Sequence, residues 1–237
     1  MDTLPDPGRT ALLLIDLQRD FCSAGGYAHQ AGIDIGPMQA VVANAVRLLR
    51  AARAAGLLVV HTREGHLSDL SDCPPTKLAR SIQAGAPIGS TGPLGRLLVR
   101  GEQGHDFVDA VRPVGGEEVI DKPGYGAFHQ TRLAQLLTAR GIGQLIVCGV
   151  TTEVCVHSTL REAVDRGYAC TTVADATAAS NPALQAAALA MIGVEGGIFG
   201  RVCSTDEAVA ALQGLPAQPP DRHDARVSTW VSAFTGA

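Results

Sequence analysis

Residues 145–168 read LIVCGVTTEVCVHSTLREAVDRGY, and the fold turns on how they are parsed. Leu145–Gly149 is a short, continuous apolar run, the pattern of a strand buried on both faces of a parallel sheet. Thr151 and Thr152 offer capping hydroxyls, and a helix is predicted from about Glu153 to Arg166, closed by Gly167. The same strand–helix rhythm extends both ways. Upstream, Ala11–Ile15 is a strand ending at Asp16. A helix over about Gly36–Ala55 buries Val41, Val42, Ala45, Leu48, Leu49 and Ala52, and Gly56 breaks it. Leu57–His61 and Glu117–Asp121 are further strands, and a helix over about His129–Arg140 closes at Gly141. Downstream come a strand at Ala169–Ala174 and helices at Pro182–Ile192 and Thr205–Leu212. Strands separated by helices mean βαβ units, hence a three-layer αβα fold with a parallel sheet covered on both faces. Residues 1–213 form one domain in this reading, and 214–237, with Pro216, Pro219 and Pro220, form a Pro-containing tail. Thr62–Gly104, polar and punctuated by Gly and Pro, is expected to be a long functional loop.

Composition narrows the function classes. With 27 Gly and 13 Pro among 237 residues, the chain is well below the ~25–30% that marks low complexity. The net charge is −4 and the basic residues are scattered, so nucleic acid is not an expected partner. No apolar stretch approaches the ~20 residues that span a bilayer, and the acidic, Pro-containing start is unlike a secretory leader. Cys22, Cys73, Cys148, Cys155, Cys170 and Cys203 show no metal-like spacing and read as reduced thiols, so the expected location is cytoplasmic.

In open α/β sheets, ligands bind beyond the carboxyl ends of the strands. The segments there are Asp16–Phe21, His61–His66, Asp121–Tyr125, Gly149–Cys155 and Asp175–Thr177. Cys155 falls in the first turn of its helix, where unpaired N–H groups and the helix dipole favour a thiolate and can hold an oxyanion. Taken singly, Cys155 is equally a small buried hydrophobe, Asp16 a loop acceptor and Lys122 a solvated cation. Together on three strand ends, they form an acid/base, cation and nucleophile set.

ALLLIDLQRDFC, DKPGYGAF and LIVCGVTTEVCVHSTLREAVDRGY, all at the appropriate spacing, resemble the signature segments of the isochorismatase-like cysteine hydrolases over about residues 10–212. The resemblance implies a three-layer αβα fold, a dimer or tetramer, and amide or ureide hydrolysis by an Asp–Lys–Cys triad matching Asp16, Lys122 and Cys155. It also implies a cis peptide before Thr151 and an oxyanion hole from the Thr151 and Cys155 amides. Nicotinamidases of the family carry an Asp-x-His…His zinc cluster after the second strand. His61-Thr-Arg-Glu-Gly-His66 lacks that pattern, so neither metal nor cofactor is expected. Cys155 argues against true isochorismatase activity.

FCSAGGY, HTREGH, GRLLVRGEQG and GGIFG look most like biuret and triuret hydrolases; ureidoacrylate and N-carbamoylsarcosine amidases look less similar. The expected reaction is cleavage of a terminal C–N bond of a small linear ureide, releasing ammonia. Arg63, Lys77 and Tyr125 are candidate donors to substrate carbonyls, Glu64 and Glu195 candidate acceptors, and Phe21 a candidate wall. Glu195 tips the expectation toward triuret. A nicotinamidase-like amidase is disfavoured because a chain that is 4% aromatic offers few rings for an apolar amide. A catalytically silent binding protein on the same fold is the non-enzymatic alternative.

Overall fold

The computed structural model describes residues 6–215. The predicted tail from 216 onward lies outside the described residues. β1 (Thr10–Ile15) leads through two single-turn helices, α1 (Arg19–Cys22) and α2 (Tyr27–Gln30), to the long α3 (Gly36–Ala54). β2 (Leu58–Glu64), α4 (Pro75–Gln83) and a small hairpin of β3 (Thr91–Gly92) and β4 (Gly95–Arg96) follow. Next come β5 (Glu118–Lys122), α5 (Leu133–Ala139), β6 (Gln144–Val150), one π-helical turn (Thr152–Val156) and α6 (His157–Asp165). The last elements are β7 (Ala169–Ala178), α7 (Pro182–Ile192), α8 (Val194–Gly197), β8 (Arg201–Cys203) and α9 (Thr205–Gln213).

Six strands form one parallel sheet in the order β5-β2-β1-β6-β7-β8. Strand alternation divides its apolar residues between two layers. Leu12 and Leu14 face Met38, Ala45, Leu48 and Leu49 of α3 and Leu212 of α9. Ala11, Leu13 and Ile15 face Leu133 and Leu137 of α5, Val156 of the π turn and Leu160 of α6. From β1 the chain winds outward through β2 and β5, then returns to β6 on the other side of β1. That reversal makes the crevice between the ends of β1 and β6 the topological switch point. The two strands approach closely: Gly149 has φ 117°, and a Cβ there would collide with the Ile15 backbone. Only glycine fits that position.

The layers and the parallel sheet are as the sequence implies, but several boundaries move. β2 runs on to Glu64 and β7 to Ala178, whereas α5 begins only at Leu133. Residues 62–104 are not a bare loop, because they hold the end of β2, all of α4 and the hairpin. α4 starts with Pro75 in its first turn, where a missing N–H costs nothing. The helix expected from Glu153 opens instead as the π turn.

Candidate active site

Three strand ends meet at the switch point. Asp16, the residue after β1, has φ 49°, a left-handed conformation that aspartate tolerates better than most residues. Its Oδ1 accepts the Thr62 hydroxyl at 2.5 Å, and the Thr62 Oγ1 accepts the Asp16 N–H at 3.2 Å. Lys122 ends β5 and is wholly buried. Its Nζ lies 2.7 Å from Asp16 Oδ2, 3.4 Å from Glu64 Oε2 and 3.5 Å from Cys155 Sγ, and it donates to the Gly124 carbonyl at 3.0 Å. Glu64 ends β2 in direct register with Lys122. Its Oε2 accepts the Cys155 thiol at 3.2 Å and its Oε1 pairs with Lys77 Nζ at 2.7 Å. Lys77, from α4, also donates to the Pro123 carbonyl at 2.6 Å and stands 4.9 Å over the Tyr125 ring.

The group is thus two carboxylates, two ammonium groups and one thiol in a buried site. Burial alone would lower Lys122, but Asp16, Cys155 and Glu64 outweigh it and hold the ammonium charged. Burial alone would raise Glu64, but Lys122 and Lys77 pull it down to about 2. Asp16 goes the other way: burial raises it despite Lys122, and the neighbouring Glu64 charge adds to the rise. Burial, with Asp16 and Glu64 adding to it, also pushes the Cys155 thiol well above its ordinary value against the pull of Lys122. The resting group is therefore a protonated thiol, not the thiolate that a helix start alone suggests. The turn's dipole cannot offset desolvation plus two carboxylates whose oxygens lie within 4.8 Å of Sγ.

Donor atoms of Asp16, Glu64 and Cys155 lie close enough together to hold a cation. The Lys122 ammonium, within 3.5 Å of all three residues, already serves as that cation. His61 and His66 do not converge on a common point. His61 Nε2 is bound to Glu117 at 2.9 Å and His66 Nδ1 to Asp72 at 3.2 Å.

Above this network opens a cleft of about 310 Å3. Of the sequence-predicted residues, Phe21, Glu64, Lys77, Tyr125, Thr151 and Cys155 line it, with Asp16 and Lys122 buried beneath. Arg63 does not. Along β2, Val60, Thr62 and Glu64 point to one face, so Arg63 points to the other, where it pairs with Asp121 at 2.7 Å. Glu195 is likewise excluded: it is exposed on α8 and absent from the cleft lining. Although the chain as a whole has few rings, Phe21, Tyr27 and Tyr125 concentrate three of them on this one cleft, so scarcity of rings does not disfavour an apolar amide there. The Val150–Thr151 peptide is cis, and Cys155 follows within the π turn, where the Thr151 carbonyl accepts the N–H groups of Val154 at 3.2 Å and Val156 at 3.1 Å.

Among the cleft residues that the sequence did not point to are Tyr27, Arg80, Ser81, Glu153 and Ser180. Arg80 lies one helical turn after Lys77 and Glu153 two residues before Cys155, so spacing from an assigned residue was the available signal. Asp20 acts indirectly. Its buried carboxylate accepts the N–H groups of Tyr27 at 3.1 Å and Leu98 at 3.0 Å, tying two cleft walls together.

This geometry defines a cysteine-centred hydrolytic site at the switch point of a three-layer sheet, and comparison with known proteins gives it a family. Residues 10–207 match the model of the isochorismatase domain. Over 223 residues the chain is 35% identical to the ureidoacrylate amidohydrolase RutB of Methylobacterium radiotolerans, covering 91% of this chain and 83% of that protein. It is also 35% identical over 181 residues to RutB of Serratia proteamaculans, covering 74% and 72% of the two chains. Among solved structures, a cysteine hydrolase from Pseudomonas syringae pv. phaseolicola superposes with a TM-score of 0.75 at 28% identity, over 89% of this chain and 95% of that one. The chain belongs to the isochorismatase family and is a hydrolase.

Proposed function

We propose that the protein is an amidohydrolase that cleaves a terminal C–N bond of a small ureide, releasing ammonia, with Cys155 as nucleophile. The observation that carries this reading is the convergence of Asp16, Lys122 and Cys155 from three strand ends, with Lys122 Nζ 2.7 Å from the carboxylate and 3.5 Å from the sulfur. The relatives named ureidoacrylate amidohydrolase support the substrate class.

The differing basicities of the two carboxylates divide the labour. Glu64 accepts the resting thiol's hydrogen bond but, held down at about 2, is a poor base. Asp16, raised by burial, is the stronger one. As substrate arrives, Asp16 takes the thiol proton and the sulfur attacks the terminal carbonyl, forming a C–S bond. The Thr151 and Cys155 amides hold the resulting oxyanion. Protonated Asp16 then gives its proton to the departing nitrogen, the C–N bond breaks, and ammonia leaves. Asp16 next deprotonates a water that attacks the S-acyl group; the C–S bond breaks and the proton returns to sulfur. Lys122 remains protonated and neutralises whichever of Asp16 and Cys155 carries the charge. Splitting the hydrolysis in two suits a urea-type carbonyl, which is a weak electrophile.

Among ureides, an acid-bearing ureide of the ureidoacrylate type is favoured by Arg80, which lines the cleft without a hydrogen-bond or charged partner among the described residues. A neutral ureide such as biuret or triuret is the second reading. Its support is the FCSAGGY segment, which supplies Phe21 and Tyr27 to the cleft. With Glu195 outside the cleft, the preference for triuret over biuret loses its basis. The test is ammonia release from ureidoacrylate, N-carbamoylsarcosine, biuret, triuret and nicotinamide, by the native protein and by Cys155→Ala. The expected result is release from ureides, greatest for ureidoacrylate, and none from the variant. No release from any ureide, or release that survives in the variant, overturns the proposal.

A further inference from the structure

We propose that Glu153 is a specificity-determining residue that selects ureides over simple carboxamides by accepting a substrate N–H on its unpartnered oxygen. The inference rests on the ureide reading above. Glu153 lies in the π turn two residues before the nucleophile and lines the cleft together with Thr151, Val154 and Ser180. Its two oxygens have different fates. Oε1 accepts the Ser180 backbone N–H at 2.8 Å, tying the turn to the loop after β7. Oε2 is buried and has no hydrogen-bond partner among the described residues. A structural tie accounts for the first oxygen and leaves the second unexplained.

The two charged cleft groups that flank the nucleophile, Glu64 and Lys77, are already engaged. Glu64 serves Lys77, Lys122 and Cys155, while Lys77 serves Glu64 and the Pro123 carbonyl. Glu153 Oε2 is unpartnered but almost without exposed surface, so it meets a substrate N–H once its side chain turns toward the cleft that the residue lines; an ionised carboxylate can only accept. A buried acceptor without a donor is unfavourable, so a ligand that brings a donor to it is selected over one that does not. A ureide, R–NH–CO–NH2, carries N–H on both flanks of the scissile carbonyl, whereas the matching carboxamide, R–CH2–CO–NH2, carries it on one. An acceptor in the same turn as the attacking sulfur reads that difference. The Glu153 charge also repels an acid group, so the carboxylate of a ureido acid is directed away from it and toward Arg80.

N-carbamoylglycine and succinamate make the comparison clean, because they differ only by NH against CH2 beside the carbonyl and both carry a carboxylate. Their kcat/KM values, read as ammonia release, are compared in the native protein, Glu153→Gln and Glu153→Leu, with near-UV circular dichroism reporting the fold. The native protein is expected to prefer N-carbamoylglycine. Glu153→Leu, which also loses the Ser180 tie, should lower the ratio of the two kcat/KM values, ureide over succinamate, about tenfold or more. Glu153→Gln has one acceptor oxygen, which the Ser180 tie takes, and presents an NH2 in place of Oε2, so the preference should fall while the tie is kept. If both substrates fall alike in the variants, or the preference survives Glu153→Leu, the inference is overturned while the ureide reading stands. If Glu153→Leu misfolds, unchanged selectivity in Glu153→Gln overturns it. If the native protein releases no ammonia from any ureide, the reading fails first and carries the inference with it.

Discussion

At the scale of single residues, the site is a matter of where one proton sits. The thiol of Cys155 is protonated at rest because burial and two flanking carboxylates outweigh one adjacent ammonium group. Alkylation is therefore governed by access rather than by acidity. Among the six free cysteines, Cys73 is only partly buried while the others are buried. We expect iodoacetamide to modify Cys73 first with activity retained, and activity to fall only as Cys155 is modified. Peptide mapping against residual activity checks this, and activity loss that tracks Cys73 refutes it. Cys155→Ser should be inactive yet folded, since the hydroxyl is close in size but far less acidic. The pH profile follows from Asp16. In the proposed mechanism the active form has Asp16 ionised and Cys155 protonated, and burial raises Asp16 above its ordinary 3.8. Activity must therefore fall with decreasing pH through a limb lying above 3.8. The alkaline side stays flat to at least pH 9 because the thiol is raised well above its ordinary value. The observed midpoint belongs to the coupled Asp16–Lys122–Glu64–Cys155 set. Asp16→Asn should cost about 10²–10⁴ in kcat and remove the limb, and a limb unchanged in that variant would assign the base elsewhere.

At the scale of elements, β2 does two jobs by alternation, and there the sequence was only half legible. Its polar end, Thr62-Arg63-Glu64, reads as loop because nothing in a single sequence announces that Lys122 and Lys77 flank Glu64 and let it continue a buried strand. Once the strand is carried on from Val60, parity alone puts Thr62 and Glu64 toward Asp16 and turns Arg63 away. The convergence of Asp16, Lys122 and Cys155 was legible because they follow or end strands, where sequence position and spatial position coincide. The place of Glu195 was not, because the kinked turn of α8 carries no such register; the carboxylates that line the cleft are Glu64 and Glu153. The opposite face of β2 has its own buried anchor. His61 meets Glu117, the residue before β5, at 2.9 Å, and Arg53 of α3 pairs with the same carboxylate at 2.7 Å. Burial alone would raise Glu117, but Arg53, the Val114 N–H and His61 bring it down to about 2. A depressed carboxyl stabilises the fold fully above its ordinary 4.5, and the contribution is lost as pH falls toward about 2. Urea unfolding at pH 7, 4.5, 3 and 2 should show Glu117→Gln less stable at pH 7 and converging on the native protein as pH falls. Parallel losses across that range would show that Glu117 does not link α3, β2 and β5 in this way.

At the scale of the whole molecule, the alternation of strands and helices was enough to predict three layers, but not which outer surface remains apolar. α7 and α8 carry that surface. Leu184 and Met191, two turns apart on one side of α7, are exposed, and so are Val194 and Ile198, which flank the break at Glu195 and Gly196. The sequence of α7, PALQAAALAMI, is apolar nearly all round, so its reading could identify a helix without telling the covered side from the open one. A row of large apolar side chains in water marks an interaction surface, and the expectation of a dimer or tetramer gives it an occupant: the same face of a second copy. A two-fold axis would bring one α7 against another without leaving an unpaired surface. The π turn packs against α7 through the Thr152–Gln185 hydrogen bond of 2.7 Å, and exposed Val154 of that turn lines the cleft. A partner on α7 would therefore border the active site. We expect sedimentation velocity to give a mass at least twice that of one 24.5 kDa chain and Leu184→Lys/Met191→Lys to shift it to the monomer with the fold retained. Both lysines fall on exposed positions, so a loss of secondary structure is not expected from them. A native protein that sediments as a monomer, or a double variant that keeps the native mass, would exclude this face as the interface.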